Sequence, residues 1–224
     1  MYELYIANKN YSSWSLRPWL LMRMADLPFA ERLTPFGAAE FASSSPTGKV
    51  PCLVDIGRVI WDSLAISEYL AERHEGIWPA DADARAWARC AAAEMHAGFP
   101  MLRSVCTMNL GLRIKLFETP GDLLRELDRI TELWSDGLKR FGGPFLAGLD
   151  FSAVDAFFAP VAFRLQTYDL DPAGELGVYA ARLRTLPPMI EWYDAALLET
   201  WRDDEHEAEA SRSGAWLLDL RATS

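Results

Sequence analysis

The chain has 224 residues, a formal net charge of −10 at pH 7 and a hydrophobic fraction of 50%. These values are typical of a globular protein with a sizeable core, and they argue against a nucleic-acid partner, because phosphate binding needs a local surplus of Lys and Arg. The sequence has no apolar run long enough to cross a membrane and no visible secretory leader. We therefore expect a cytoplasmic protein without a membrane partner.

The cysteine pattern favours a reducing compartment. Cys52, Cys90 and Cys106 are odd in number and widely spaced, which argues against both a disulfide framework and a zinc site. The chain has only three histidines, and they stand far apart. We therefore expect free thiols and no metal site.

Strand and helix patterns alternate in the first eighty residues. The hydrophobic spacing predicts strands over residues 2–7 and 29–35, a helix over 15–25 with Pro18 in its first turn, a hairpin of residues 50–55 and 59–61, and a helix that begins at Asp62-Ser63. A parallel crossover followed by a hairpin gives a small mixed sheet with helices on its faces.

After residue 80 the spacing predicts helices only. They cover residues 81–116 with a kink at Pro100, and then 120–141, 152–167 and 187–201. The acidic run at residues 203–207 is predicted to be a solvated helix end or tail. Most of the acidic excess lies in this part, so an anionic ligand fits the first part better. We expect two domains, one of residues 1–77 and one of residues 84–224.

The turn Lys49-Val50-Pro51 precedes a predicted strand. An X-Pro bond at the start of a strand is a place where a cis peptide is tolerated. A cis bond there would leave the N–H and C=O of Val50 free for an extended peptide ligand that docks like an added strand. An ordinary edge proline would have the same sequence.

The dyad Asp62-Ser63 stands where a strand gives way to a helix. A helix N-terminus attracts a carboxylate, the Ser63 hydroxyl can donate to it, and the Asp62 carboxylate suits an ammonium group. Together the two residues match the charged head group of an α-amino acid. The same pair is also typical of a plain helix cap.

Ser12-Ser13 lies between the first strand and the first helix. A hydroxyl at the positive end of a helix dipole can donate to a thiolate and lower the pKa of the thiol. No nucleophile elbow surrounds these serines, so they are expected to act as donors. Capping of the helix would explain the same hydroxyls.

These three sites together resemble the cytosolic glutathione transferases. The resemblance rests on Gly48-Lys49-Val50-Pro51-Cys52-Leu53, on the segment from Trp61 to Leu70 (WDSLAISEYL), and on the Ser152 to Asp155 capping box. It implies an α/β thioredoxin-like N-terminal domain, an all-α C-terminal domain and a homodimer. Ser152 and Asp155 would serve folding.

The resemblance also implies a role for each site residue. Val50 would pair its backbone with the cysteinyl part of glutathione, and Pro51 would be cis. Asp62 and Ser63 would hold the γ-glutamyl group, and Lys49 would lie near the carboxylate end of the peptide. Ser12 or Ser13 would activate the thiol, as the first serine does in the similar S-S-C-S-W-R segment of zeta-class enzymes.

Three functions remain open from the sequence. A glutathione transferase that attacks a small electrophile is the first, a zeta-type isomerase is the second, and a non-catalytic binding protein is the third. Trp14 replaces the zeta-class cysteine, which weakens the isomerase reading, and the lack of Cys between residues 8 and 17 disfavours thiol–disulfide reduction. The residues in range of an electrophile pocket are Phe99, Met101, Arg103, Ser104, Met108 and Arg113.

Overall fold

The computed structural model describes residues 1–38, 40, 43 and 45–221, so residues 222–224 of the predicted second domain lie outside it. Its first part contains a four-stranded sheet of order β2-β1-β3-β4. The strands are β1 (Tyr2–Ile6), β2 (Phe29–Leu33), β3 (Cys52–Asp55) and β4 (Arg58–Ile60). β1 is parallel to β2 and antiparallel to β3, and β3 and β4 form an antiparallel hairpin. The predicted crossover and hairpin are thus confirmed.

Because of the strand register, the end of β1, the start of β3 and the end of β4 lie side by side at one end of the sheet, here called the sheet edge. Tyr5 lies opposite Cys52, so the end of β1 adjoins the start of β3. Leu53 lies opposite Ile60, so the start of β3 also adjoins the end of β4. The three sequence motifs follow or precede those strand ends, and the topology therefore gathers them.

Two helices pack on the sheet. They are α1 (Ser13–Met24) and α2 (Ser63–Ala71). Helix α1 begins two residues earlier than predicted, because Ser12 is its cap, and Pro18 therefore lies in the helix interior rather than in the first turn. The prediction for Pro18 was wrong in that respect.

Seven more helices follow in the described part of the chain. They are α3 (Ala82–Ala97), α4 (Pro100–Val105), α5 (Gly121–Phe141), α6 (Ala153–Tyr168), α7 (Glu175–Thr185), α8 (Pro187–Leu198) and α9 (Asp204–Ser213). The predicted helices that correspond to α5, α6 and α8 are confirmed. Helix α7 was not predicted, and the acidic run at residues 203–207 begins a helix, α9, whose first turn it supplies.

A single helix over residues 81–116 was the largest error. Helix α3 ends at Ala97, Phe99 adopts a left-handed conformation with φ of 62°, and α4 restarts at Pro100. The chain then forms strand β5 (Leu112–Leu116), which pairs with β6 (Gly214–Asp219) in an antiparallel ribbon. The helical half therefore contains a two-stranded ribbon that the sequence did not predict.

Helix α6 is the buried centre of the helical half. Fifteen of its sixteen residues are buried, and its N-terminus carries the predicted capping box of Ser152 and Asp155. Asp155 accepts from the N–H groups of Ser152 and Leu146, both at 3.0 Å, and from the Tyr179 hydroxyl at 2.9 Å. Burial raises the pKa of Asp155 to about 6. The capping box thus serves folding, as the resemblance implies.

In the described ranges, no helix has both the length and the apolar composition that crossing a membrane would need.

Candidate functional site

A cavity of about 290 Å³ lies between the sheet edge and the helical half. The first half contributes Tyr11, Ser12, Ser13, Trp14, Phe36, Lys49 and Val50, and the second half contributes Arg103, Thr107, Met108, Arg164, His206 and Glu209. Two of the three sequence motifs therefore line one space. Asp62 and Ser63 do not line it and stand at the neighbouring start of α2.

Ser12 is the N-cap of α1. Its Oγ accepts from the Ser15 N–H at 3.4 Å and donates to Ser15 Oγ at 2.7 Å. A hydroxyl has one proton to donate. Because the Ser12 proton is directed at Ser15, this hydroxyl is occupied within the turn that it caps.

Ser13 is the first residue of α1, and its hydroxyl has different partners. Its Oγ accepts from Nη2 of Arg164, which lies 3.2 Å away on α6. A guanidinium has no acceptor, so the Ser13 proton cannot point at Arg164. No other described residue receives that proton. Ser13 therefore has a proton to give to a molecule in the cavity.

Tyr11 also lines the cavity, and its chemistry is fixed by a different contact. The phenol donates to Glu207 Oε1 at 2.6 Å. Burial and the Glu207 carboxylate raise the pKa of Tyr11 well above its usual range. Its proton is held by a carboxylate, so Tyr11 is not available to donate to a thiolate.

The Val50-Pro51 peptide is cis, as predicted. The neighbouring Lys49 backbone is held by Ser45, whose Oγ accepts from Lys49 N–H at 3.0 Å and donates to Lys49 C=O at 2.6 Å. Within the described residues, neither the N–H nor the C=O of Val50 has a hydrogen-bond partner. The Val50 backbone is thus open at a wall of the cavity.

Asp62 is the N-cap of α2. Its Oδ1 accepts from the N–H groups of Leu64 at 3.0 Å and Ala65 at 3.4 Å, and its Oδ2 lies 3.3 Å from Nε2 of His96. The carboxylate is 55% exposed, so its outer side can still meet a cation. The contact with His96, 34 positions away in the chain, could not be predicted from local sequence.

Ser63 follows Asp62 and is fully buried. Its Oγ has no hydrogen-bond partner in the described part of the chain, although its C=O accepts from Ser67. Buried hydroxyls are normally paired, so an unpaired one needs a reason. The predicted hydroxyl is therefore present at the helix start, but it is not exposed to solvent.

A stack of aromatic and cationic side chains connects the two helix starts. The Trp14 ring meets the His96 ring edge-on at 5.2 Å between centroids. The guanidinium carbons of Arg17 and Arg103 lie 4.3 and 4.6 Å from the Trp14 ring centre. The pKa of Arg17 lies well below its usual range, because the guanidinium is buried and is repelled by Arg103 and Arg164. The Asp62 carboxylate compensates only in part.

The helical half makes one wall of the cavity cationic. Arg103 and Arg164 donate to backbone carbonyls, and neither forms an ion pair in the described part of the chain. Glu209 carries the only carboxylate among the described lining residues. In a chain of net charge −10, this local excess of positive charge favours an anionic occupant.

His206 forms part of the opposite wall. Its ring lies between the rings of Tyr11 and Phe36, at centroid distances of 5.0 and 4.9 Å, and its Nδ1 is 2.7 Å from Asp203 Oδ1. Asp203 also accepts from the His206 N–H at 3.2 Å as the cap of α9. The acidic run at residues 203–207 thus positions a cavity residue.

Only some of the cavity residues could be predicted from the sequence. Of the six residues proposed for an electrophile pocket, Arg103 and Met108 line the cavity. Phe99, Met101, Ser104 and Arg113 do not, and Arg113 lies on strand β5 rather than on the predicted helix. Arg164 and His206 were missed. Both lie on helices whose packing against Ser13 and Tyr11 involves residues more than 150 positions apart.

The cysteines do not contribute a reactive thiol to this site. All three are free, and burial raises the pKa of Cys52 to about 11 and of Cys106 to about 12. Cys52 is fully buried in the core beside Pro51. Across residues 1–38, 40, 43 and 45–221, no three His, Cys, Asp or Glu side chains gather as a metal site would require.

Comparison with known proteins agrees with this geometry. Residues 11–73 match the family model for the glutathione S-transferase N-terminal domain. A "Glutathione S-transferase-like protein OpS6" of Beauveria bassiana is 28% identical over 200 residues, 82% of this chain and 89% of its own. A "Probable maleylacetoacetate isomerase" of Caenorhabditis elegans is 28% identical over 174 residues, 75% of this chain and 80% of its own.

The fold of the whole chain is shared with solved glutathione transferases. A transferase homologue from Burkholderia, solved with bound glutathione, has a TM-score of 0.64 and 22% identity, and the match covers 87% of this chain and 97% of the other. A thioredoxin-like domain joined to a helical domain is therefore the fold class of this protein. The matched N-terminal domain and the curated relatives make the chain similar to glutathione transferases over most of its length.

Proposed function

We propose that this chain is a glutathione transferase that activates the glutathione thiol for attack on a small electrophile. The observation that carries the proposal is that one cavity is lined by a serine hydroxyl with a free proton, Ser13, and by the open backbone of Val50. Glutathione is the co-substrate, and no metal takes part in the proposal.

Glutathione would lie along the sheet edge. Its cysteinyl backbone would pair with the N–H and C=O of Val50 beside the cis Pro51, in the manner of an added strand. Lys49 would face the glycyl carboxylate. The γ-glutamyl ammonium would meet the exposed side of Asp62, and its carboxylate would accept from the start of α2. The Ser63 hydroxyl is fully buried, so it would join this contact only after the helix start rearranges around the ligand.

Ser13 is the better candidate for the contact with sulfur. The Ser12 proton is directed at Ser15, whereas the Ser13 proton has no described acceptor. Donation to the thiolate stabilises the charged form and lowers the pKa of the thiol, and the start of α1 adds a favourable dipole. Ser12 would then contribute by capping the helix that carries Ser13.

A zeta-type isomerase is the second candidate, and the cationic wall favours it. The name of the C. elegans relative gives maleylacetoacetate as its substrate, and this molecule is a carboxylate. Arg103 and Arg164 present guanidinium groups without acidic partners to the cavity. Such an enzyme would use the same thiolate. Trp14 in place of the zeta-class cysteine weighs against this reading.

One experiment separates these functions. Glutathione is titrated into the protein while thiolate absorbance is followed over a pH series, and conjugation and isomerisation are then assayed with a neutral aryl halide and with maleylacetoacetate. We expect binding, a lowered thiol pKa and conjugation. Isomerisation without conjugation would favour the second candidate. Binding with an ordinary thiol pKa would leave a binding protein and overturn the transferase proposal.

We also propose that the chain is a homodimer, on the strength of its resemblance to glutathione transferases. Sedimentation equilibrium at several protein concentrations tests this directly, and a monomer at all of them would contradict it. The division into domains 1–77 and 84–224 and the cytoplasmic location stay predictions.

A further inference from the structure

We propose that Arg164 is a positioning residue for thiol activation, which acts by holding the Ser13 hydroxyl with its proton turned into the cavity. The proposal rests on the proposed function, because it concerns how Ser13 meets the glutathione sulfur. It assigns a role to a buried cation on α6, in the half of the chain that contains none of the three predicted glutathione-site motifs.

The first step is the geometry of the contact. Nη2 of Arg164 donates to Ser13 Oγ at 3.2 Å, and Nη1 donates to the carbonyls of Cys106 and Arg103. The two carbonyls fix the plane of the guanidinium, and Arg164 itself is only 6% exposed. A rigid donor therefore occupies one lone pair of the Ser13 oxygen.

The second step concerns the proton. Since a guanidinium accepts no hydrogen bond, the Ser13 O–H must turn away from Arg164. A hydroxyl that accepts from a charged donor also becomes a stronger donor itself, because linked hydrogen bonds polarise one another. Ser13 would thus be oriented and polarised before the sulfur arrives, which reduces the cost of organising it during the reaction.

The third step concerns charge. Besides Arg164, the charged and titratable groups that line this space are Tyr11 before α1, Arg103 on α4, Lys49 beside β3, and His206 and Glu209 on α9. Burial and repulsion by Arg103 lower the pKa of Arg164 to about 10, so Arg164 stays protonated at neutral pH. The positive charge strengthens the hydrogen bond that Ser13 donates, and this stronger bond favours a thiolate over a neutral thiol.

The test is the pKa of the thiol of bound glutathione, measured from thiolate absorbance in Arg164→Gln. We expect the pKa to rise by about one unit, and conjugation at neutral pH to fall about tenfold, since a one-unit shift is a tenfold change in the thiolate equilibrium. Arg164→Lys should fall between wild type and Arg164→Gln. If Arg164→Gln does not fold, Arg164→Met retains most of the side-chain volume, and we expect it to raise the thiol pKa by the same amount.

Arg184→Gln is the matched control. Arg184 also donates to an α6 carbonyl, that of Ala162 at 2.9 Å, and it pairs with Asp171 rather than facing the cavity. We expect this variant to lose stability and keep the wild-type thiol pKa. A thiol pKa that rises equally in both variants would reveal a general effect of loosening α6 and would overturn the proposal.

A double-mutant comparison tests the route through Ser13. In a Ser13→Ala background, removing Arg164 should change the thiol pKa much less than it does in the wild type. An equal change in both backgrounds would mean that Arg164 acts on the sulfur directly, contrary to the proposal. If wild type itself fails to lower the thiol pKa, the transferase proposal fails with it. If wild type lowers it and the Arg164 variants do too, only the role of Arg164 is refuted.

Discussion

The N-termini of α1 and α2 are built alike but stand in different surroundings. Both helices start at the same sheet edge, and both are capped by a polar side chain, Ser12 in one and Asp62 in the other. Beside the first, the helical half contributes the guanidinium of Arg164. Beside the second, it contributes His96, whose pKa burial lowers from its ordinary value.

Because the surroundings of the two N-termini differ, the cap alone does not define what either helix start can bind. At α1 the cap is buried and its neighbour Ser13 faces a cation, which suits an anionic sulfur. At α2 the cap is a half-exposed carboxylate next to a histidine that burial keeps neutral at pH 7, so its negative charge is left to attract an ammonium group. The second half of the chain thus decides what each start can bind.

The largest expected effect is at α1. We predict that Ser13→Ala lowers kcat/KM for conjugation by about 10²-fold, because it removes a hydroxyl whose proton has no acceptor among the described residues. Steady-state kinetics at neutral pH measure the loss, and glutathione affinity from calorimetry should change little. Ser13→Thr is the matched control, since it keeps the hydroxyl. An unchanged kcat/KM in the alanine variant would move the activating role to another group.

Much of the structure of the first half of the chain could be predicted from local sequence. The strand order, the cis Val50-Pro51 peptide and the Asp62 cap depend on residues close together in the chain, where turn and capping preferences act. Arg164 and His206 could not be found in that way, because a buried arginine on an apolar helix carries no local signal of its partner. The kink expected at Pro100 is a full break after α3, which local preferences could not predict because Phe99 adopts a left-handed conformation that its residue type does not favour.

The ribbon of β5 and β6 shows the same limit. Residues 112–116 continue the apolar character of the preceding helix, and their partner strand lies about a hundred residues later. Pairing at that distance is decided by tertiary structure rather than by local periodicity. Of the residues expected near an electrophile pocket, Met108 and Arg113 were assigned to a helix that ends at Val105.

The second effect is at α2. We predict that Asp62→Ala weakens glutathione binding by about 1–3 kcal/mol, the range for loss of a charge-assisted hydrogen bond. Asp62→Asn separates the two tasks of this side chain, because asparagine caps a helix as well as aspartate does but carries no charge. Calorimetric titration should show weakened glutathione binding in both variants. Thermal unfolding should show a loss of stability in the alanine variant alone. Full affinity in Asp62→Asn would reduce Asp62 to a cap.

The smallest effect is the one that completes the comparison. We predict that Ser12→Ala lowers the free energy of unfolding by about 1 kcal/mol, the usual value of an N-cap, which corresponds to a drop in Tm of about 2–4 °C for a chain of this size. Ser12→Thr, which keeps a capping hydroxyl, should restore most of it. The thiol pKa of bound glutathione should stay near the wild-type value in both, because the Ser12 proton is directed at Ser15 rather than at the cavity.

Thermal unfolding and thiolate absorbance measured on the same Ser12 samples decide between the two serines. A loss of stability with an unchanged thiol pKa assigns capping to Ser12 and leaves activation to Ser13. A rise in thiol pKa as large as that of Ser13→Ala would mean that the Ser12 hydroxyl turns from Ser15 to the sulfur when glutathione binds. In that case the two helix starts would be alike after all, with the cap of each acting directly on the ligand, and Arg164 would lose the partner through which it is proposed to act.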